Sequence, residues 1–159
     1  MKEAIVLLAL GLFFTACGGN APEQSSTAGA KPKSMVADTP EDDGTGYGKI
    51  KHVDLNDPLD PAMVEAGKGI YEMKCAACHK LTEQRVVGPG WKGITERRKP
   101  EWIMNMTIDP DAMLEKDPIA RDLLKQCLVR MPNQNLSEKD ARDVLEFMYF
   151  NDGKPVAEK

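Results

Sequence analysis

The sequence predicts an all-α domain of about five helices, preceded by a segment without regular structure. Asp-Pro pairs, each a good N-cap followed by the residue best suited to the first helical position, recur at Asp60, Asp109 and Asp117. Apolar residues recur at helical spacing from Ala141 to Tyr149. No alternating strand pattern of any length occurs. With 159 residues, the chain has room for one small domain.

The N-terminus predicts a lipoprotein signal peptide at residues 1–16. Residues 4–16 are almost all apolar or small, and this stretch is too short to cross a bilayer as a helix. It runs into Phe14-Thr15-Ala16-Cys17, which resembles the bacterial lipoprotein signal, although Phe14 stands where Leu is usual. The resemblance implies cleavage before Cys17 and its acylation, which anchors a chain to a membrane without spanning it. The alternative is an ordinary cleaved signal peptide with an incidental Cys.

We predict that residues 17–48 form a flexible tether and that residues 49–159 form the folded domain. The tether is rich in Gly, Ser, Thr, Pro, Ala and charge, and it offers little apolar surface to offset its ordering entropy. Its root-mean-square reach is on the order of 30 Å. Such a segment either brings the domain to membrane partners or serves as a passive spacer. We expect His52, which stands alone at the start of the domain, to lie at the surface.

Helix-start signals give the order of the predicted helices. The last helix has the clearest start, because Ser137 is followed three residues later by Asp140, a short relative of the capping box, and it ends at Asn151-Asp152-Gly153. The predicted helices cover residues 61–77, 100–107, 110–116, 118–129 and the stretch after Ser137.

The stretch Cys75-Ala76-Ala77-Cys78-His79 has the spacing of a c-type haem attachment site. On a helical turn, thiols at i and i+3 lie on one side with the imidazole at i+4, so both sulfurs reach the haem vinyl groups and His79 reaches the iron. The sequence therefore predicts one covalently bound haem c.

Three other interpretations of this pair of cysteines remain: a structural zinc half-site, a thioredoxin-like redox pair, and chance. Zinc needs four ligands, and only Cys127 and His52 stand elsewhere in the domain as Cys or His. The thioredoxin pattern requires a preceding strand, whereas the flanks here look helical.

Met131 is the predicted sixth ligand of the iron. It is followed by Pro132 in a stretch without helix signals, where a loop can cover the other haem face. Thioether ligation favours ferrous iron and closes the centre, which suits electron transfer. The remaining candidates lie in predicted helices, where core packing explains them more simply: Met104, Met106, Met113 and Met148.

Residues 60–152 resemble a small monohaem class I cytochrome c. Gly67 and Tyr71 precede the attachment motif as do a Gly and an aromatic residue of that family's first helix, where the last helix crosses closely. The resemblance implies that Tyr149 or Phe150 is the partner on the last helix.

The resemblance also assigns residues around the haem. Gly88-Pro89 matches the family's Gly-Pro pair, whose Pro carbonyl accepts a hydrogen bond from the proximal imidazole. Trp91 stands where the family has a large apolar residue against the haem. Arg97 matches an Arg near the haem propionates, and Trp102 is either a propionate donor or a core residue.

Charge is distributed unevenly along the domain. The net charge of -4 argues against nucleic acid as a partner. Basic residues dominate 74–99 and acidic residues dominate 100–123. We hypothesise that the basic side surrounds the haem edge and steers acidic partners; the alternative is that both are ordinary solvated faces. Cys127 shares a helical face with Ile119 and Leu123, which predicts a buried thiol, and no disulfide is expected.

The predicted function is a monomeric electron shuttle, not an enzyme, anchored in the cell envelope and facing the periplasm or cell exterior. The resemblance implies a quinol-oxidising complex on one side and a terminal oxidase or other respiratory reductase on the other. The alternative is a haem-based sensor or peroxide-reacting protein in which Met131 is displaced. A haem-free thiol redox module is a third hypothesis.

Overall fold

The computed structural model describes residues 43–158, and within them the chain is helical. The helices are α1 (Pro61–Ile70), α2 (Ile94–Arg97), α3 (Pro100–Ile108), α4 (Pro110–Lys116), α5 (Pro118–Cys127) and α6 (Glu138–Asn151). A π-helical turn, Tyr71–Cys75, continues α1 into the attachment motif. Among the described residues, β-type backbone pairing is limited to two isolated bridges, and no strand is formed. The all-α prediction is thereby confirmed.

The predicted signal peptide, Cys17 and the tether up to residue 42 lie outside the described residues. Among residues 43–158, no helix combines the length and apolar character needed to cross a membrane.

The three Asp-Pro pairs begin helices as predicted. Asp60, Asp109 and Asp117 are the N-caps of α1, α4 and α5, and each carboxylate accepts a backbone N–H of the first turn. Helix α3 begins at Pro100 without a side-chain cap from Lys99. Because the caps hold the starts of these helices, their order along the chain follows the sequence signals closely.

Three boundaries differ from the prediction. The first helix does not reach residue 77 as an α-helix, because it passes into the π-helical turn at Tyr71. Helix α5 ends at Cys127, two residues early, because Leu128 adopts a left-handed backbone with φ 61°. The four-residue helix α2 was not predicted, since no Asp or Ser precedes it and Gly93 occupies its N-cap.

Helices α1 and α6 cross at Gly67. A Cβ on Gly67 would overlap the backbone carbonyl oxygen of Asp143 and lie 3.0 Å from Cβ of Phe147. The close crossing at Gly67 is therefore confirmed, but the prediction of Tyr149 or Phe150 as the partner was wrong. The crossing lies earlier in α6 than predicted, at Asp143 and Phe147. Phe150 remains 46% exposed.

Residues 43–56 form an extended segment, here called the strap, that lies against the helices. The Asn105 side chain accepts the N–H of Ile50 at 3.0 Å and donates to the carbonyl oxygens of Thr45 at 3.0 Å and Ile50 at 2.9 Å. A Cβ on Gly48 would overlap the Asn105 side chain. The ordered domain thus begins before the predicted boundary at residue 49.

Two buried glutamates of α3 and α6 hold the second half of the strap. Glu101 accepts the N–H of Val53 at 3.1 Å. Glu146, which is fully buried, accepts from the Asn56 side chain and pairs with Arg142. These contacts fix the course of the chain into α1.

His52 is exposed to solvent on the strap. Its ring lies 3.0 Å from Asp54, and the two side chains are 78% and 99% exposed. The predicted surface position of His52 is confirmed.

Candidate cofactor site

A cavity of about 340 Å³, walled mostly by apolar side chains, lies between the helices and opens to the surface near Lys74, Val129 and Arg130. Its walls come from the π-helical turn, the loop that follows it, helices α2 to α6, and the segment after α5. The residues predicted at the site that line this cavity are Cys75, Cys78, His79, Pro89, Trp91, Trp102 and Met131. The fold therefore brings to one cavity residues that lie up to about half a domain apart in sequence.

Cys75 and Cys78 are presented together on one wall. The N–H groups of Cys78 and His79 both bond to the Cys75 carbonyl oxygen, at 3.0 and 2.9 Å, which keeps the motif in a tight turn. Cys75 is buried, and burial raises the pKa of its thiol to about 11. A thioredoxin-like pair requires the opposite shift, because the thiolate is the nucleophile.

The described residues also offer little to a zinc ion. Among residues 43–158, no three or more His, Cys, Asp or Glu side chains are grouped to hold a metal. Because zinc prefers four such ligands, the arrangement does not favour a structural zinc site.

The His79 imidazole is fixed by its surroundings. Its Nδ1 lies 2.9 Å from the Pro89 carbonyl oxygen, as predicted. A carbonyl only accepts, so Nδ1 carries the proton and the Nε2 lone pair is free for a metal. Burial lowers the pKa of His79, and the bond to Pro89 opposes this only in part, so the ring is neutral at pH 7.

Two neighbours complete the support of His79. A Cβ on Gly88 would overlap the imidazole ring, so only glycine leaves the ring its position. The Tyr71 hydroxyl donates to the His79 carbonyl oxygen at 2.8 Å, and the Tyr71 ring packs on Trp91 with centroids 4.9 Å apart. Tyr71 therefore links α1, the motif and the cavity wall.

Met131 lies in the helix-free segment between α5 and α6 and lines the cavity. Met106 of α3 and Met148 of α6 also line it, whereas Met104 and Met113 do not. Of the α3 methionines considered as the sixth iron ligand, only Met106 therefore remains a candidate.

Cys127 differs from its prediction. Helical spacing predicts a buried thiol, but Cys127 is only half-buried and lines the cavity together with Leu123. The apolar face of α5 is turned towards the cavity rather than into a closed core, which explains the difference.

Trp102 is buried at 4% exposure and lines the cavity, and its indole Nε1–H has no hydrogen-bond partner among the described residues. A buried donor left without an acceptor is costly, so this group fits a bound molecule with an acceptor oxygen. Arg98, which sequence reasoning missed, lies 5.3 Å from the Trp102 ring, and its buried Nε also lacks a partner within residues 43–158. Arg98 does not itself line the cavity. Two thiols, a neutral imidazole, apolar walls and the unpaired Trp102 donor together fit a haem.

Arg97 does not line the cavity. Its guanidinium donates to the carbonyl oxygens of Lys92 at 2.7 Å and Gly90 at 3.5 Å, and so it supports the loop behind the wall. The basic residues that do line the cavity are Lys74 and Arg130. In the sequence, only their positions directly before Cys75 and directly before Met131 indicate that they lie at the cavity.

The fold and site define a small helical protein built to hold one c-type haem. The family model for cytochrome c matches residues 64–149. The chain belongs to the cytochrome c family. It therefore carries a covalently bound haem c, with Cys75 and Cys78 placed for the attachment motif, and haem-based electron transfer is its general role.

Solved structures give the same assignment. A cytochrome c from Rhodothermus marinus is 33% identical, with a TM-score of 0.64 over 66% of this chain and 90% of that chain. An engineered form of that protein, Rma TDE, is 31% identical with a TM-score of 0.63 at the same coverage. The engineered form bound to the carbene intermediate 1-ethoxy-1-oxopropan-2-ylidene has a TM-score of 0.60. Comparison with curated proteins gave no match.

Proposed function

We propose that this protein is a membrane-anchored monohaem cytochrome c that passes single electrons between respiratory complexes on the outer side of the bacterial cytoplasmic membrane. The observation that carries the redox part is that a neutral His79 and Met131 line one apolar cavity with the two attachment cysteines. When bound, haem supplies an iron that accepts and releases one electron.

Each residue of the cavity has a separate task in this proposal. Cys75 and Cys78 would hold the porphyrin through thioether bonds, and His79 would ligate the iron through Nε2. Pro89 keeps the proton on Nδ1 and so fixes the ring and raises its basicity as a ligand. Met131 would supply a second protein ligand to the iron, which would leave no place for an external ligand and would favour electron transfer over ligand chemistry.

The Met131 role is tested by Met131→Ala in the haem-loaded protein. We expect loss of the ferric sulfur-to-iron absorption band, a lower midpoint potential, and carbon monoxide binding by the reduced variant. Met106→Leu is the matched control, because Met106 lines the same cavity from α3, and it should leave all three unchanged. The opposite pattern would assign the sixth position to Met106.

The membrane part of the proposal is supported by the signal at Phe14-Thr15-Ala16-Cys17. A diacylated Cys17 would hold the protein firmly, since two chains give stable anchoring. Cys17→Ser should move the protein from the membrane fraction to the soluble fraction without changing its spectrum. If the unmodified protein is found in the soluble fraction, the proposed membrane anchor is contradicted.

The proposed partners are a quinol-oxidising complex as donor and a terminal oxidase or another respiratory reductase as acceptor. The basic stretch 74–99 and the cavity-lining Lys74 and Arg130 support docking to acidic surfaces. The test is the turnover of isolated donor and acceptor complexes with added protein, measured against ionic strength. Turnover that does not increase when the protein is added would refute the proposed donor and acceptor. Rates that do not depend on salt concentration would refute electrostatic steering.

A second candidate is a haem protein that binds a small ligand or reacts with peroxide. It is favoured by one of the similar structures, in which the engineered Rhodothermus marinus protein is bound to a carbene intermediate. The two candidates differ in one measurement on the unmodified protein. Carbon monoxide should leave the reduced spectrum unchanged for the electron carrier and should shift it for the ligand-binding protein.

A further inference from the structure

We infer that residues 45–50 of the strap are a positioning element for Trp102, and that they raise the midpoint potential of the bound haem by keeping water from the indole N–H. The inference rests on the proposed electron-carrier function and names an element that adjusts it. The strap precedes residues 64–149, which the family model matches, so it is an addition to the matched core.

The strap packs on the edge of Trp102 that bears the hydrogen-bond donor. A Cβ on Gly46 would lie 2.9 Å from Cδ1 of Trp102 and 2.6 Å from Cε of Met113, so the strap backbone is in direct contact with both side chains. In an indole ring, Cδ1 is bonded to Nε1. The strap therefore lies beside the Nε1–H that has no partner among the described residues.

Trp102 contacts both the cavity and the strap. It lines the cavity, yet only 4% of its surface is exposed, so other parts of the protein cover the remainder. Arg98 lies over the ring face, with its guanidinium carbon 5.3 Å from the ring centroid. Displacement of the strap would uncover the edge of the ring and open its N–H to water.

Two buried side chains hold the strap over this edge. The Asn105 side chain bonds to the backbone of Thr45 and Ile50. The sulfur of Met113 accepts the N–H of Tyr47 at 3.1 Å. Asn105 and Met113 are 1% and 0% exposed, and neither lines the cavity. They hold the strap without being part of the cavity wall.

The position of the strap affects the midpoint potential in two ways. Oxidation of the iron adds one positive charge to the cavity, and dry surroundings disfavour that charge. An indole N–H that is kept from water can also donate to a haem carboxylate, which reduces the negative charge near the iron. Both effects favour the reduced state while the strap is seated. Both weaken when it is displaced, so the midpoint potential falls.

The test compares Gly46→Ala with Gly44→Ala in the haem-loaded full chain. Both glycines have positive φ, 74° and 77°, so both substitutions strain the backbone to a similar degree. At Gly46 the new Cβ would press on Trp102 and Met113. At Gly44 it would lie 3.5 Å from the Lys99 side chain, which is an ordinary contact. Gly44→Ala is therefore the matched control.

Two measurements should change in Gly46→Ala and stay unchanged in Gly44→Ala. The chain has two Trp residues, Trp91 and Trp102, so the reduced, diamagnetic protein should show two indole N–H signals by proton NMR. We expect the Trp102 signal to exchange with deuterium about tenfold faster, with Trp91 as the internal reference. The midpoint potential should fall by about 59 mV, which is a tenfold lower ratio of reduced to oxidised protein at a fixed potential.

Asn105→Ala is the second variant, because Gly46→Ala also presses on the core at Met113. It removes the bonds to Thr45 and Ile50 without placing a new atom against Trp102. It should produce the same two changes. Far-ultraviolet circular dichroism shows whether each variant is folded, and if Gly46→Ala is not, Asn105→Ala decides.

Unchanged Trp102 exchange and an unchanged midpoint potential in the folded variants would overturn the inference and leave the proposed function standing. A change in only one of the two measurements would also overturn it, since the strap would then be a structural cover alone or the effect would arise elsewhere. Equal changes in Gly44→Ala would assign the effect to backbone strain, with the same result. Absence of a reversible one-electron wave in the unmodified protein would overturn the proposed function itself.

Discussion

Gly67→Ala should destabilise the domain although alanine is the better helix former. In α1 the added Cβ would overlap the Asp143 carbonyl oxygen, which belongs to the backbone of α6 and cannot rotate away. Relieving such an overlap requires two packed helices to separate. Overpacking of this kind costs up to about 3 kcal/mol.

The expected net effect follows from two opposing terms. Alanine gains about 1 kcal/mol over glycine in a helix interior, so the free energy of unfolding should fall by about 2 kcal/mol. This lowers the melting temperature by about 4–16 °C, since each kcal/mol is worth about 2–8 °C for domains of roughly 60 to 250 residues.

The same helix provides a matched control. Gly69 also lies in α1, but nothing approaches within 4 Å of the place where its Cβ would be. Gly69→Ala should therefore gain about 1 kcal/mol and raise the melting temperature. Both variants are measured as haem-loaded protein by thermal unfolding, followed through far-ultraviolet circular dichroism. Equal shifts in the two variants would refute the close crossing at Gly67.

Two further predictions concern α6. Glu146→Ala should reduce the free energy of unfolding by about 3–5 kcal/mol, because it leaves the partly buried Arg142 without its ion-pair partner and the Asn56 side chain and the Asp60 N–H without their acceptor, whereas Glu146→Gln should lose less; urea unfolding decides, and equal losses would contradict the charge pairing. Hydrogen bonds from the Ser137 side chain and N–H lower the pKa of Asp140 below its usual 3.8, so its charge stabilises the fold above that pH and the stabilisation is lost as pH falls further. Asp140→Asn should cost about 0.5 kcal/mol at pH 7 and progressively less as pH falls below 3.8, and a loss independent of pH would count against the capping box.

The sequence signals that located helix starts and the attachment motif act over a few neighbouring residues. Asp60, Asp109 and Asp117 marked three helix starts because an N-cap acts within one turn. The attachment motif was recognisable for the same reason, since its thiols and imidazole lie within five residues. Features set by distant segments were not recognisable. The partner of Gly67 and the unpredicted helix α2 depend on how segments meet, which spacing alone does not reveal.

The strap shows this limit most clearly. Asn105, Glu101 and Glu146 lie inside predicted helices, and nothing in their sequence context marks them as acceptors for backbone groups about 50 or more residues earlier. Arg97 was assigned to the haem by family resemblance alone, whereas Cys127 was misplaced for a reason related to that of the strap. Helical spacing gives the face of a residue, but it does not say whether that face meets a core, a cavity or a loop.

The strap also determines how the domain would respond to a mechanical pull at residue 43. A pull there would first load the bonds from Thr45 and Ile50 to Asn105, then the bond from Val53 to Glu101, and only afterwards those that bind Asn56 and Asp60 to Glu146. The bonds would break one after another, each at low force, before tension reached α1. Stretching the N-terminal end would therefore release the strap, and with it the cover that Gly46 gives to Trp102 on the cavity wall, before α1 itself was loaded.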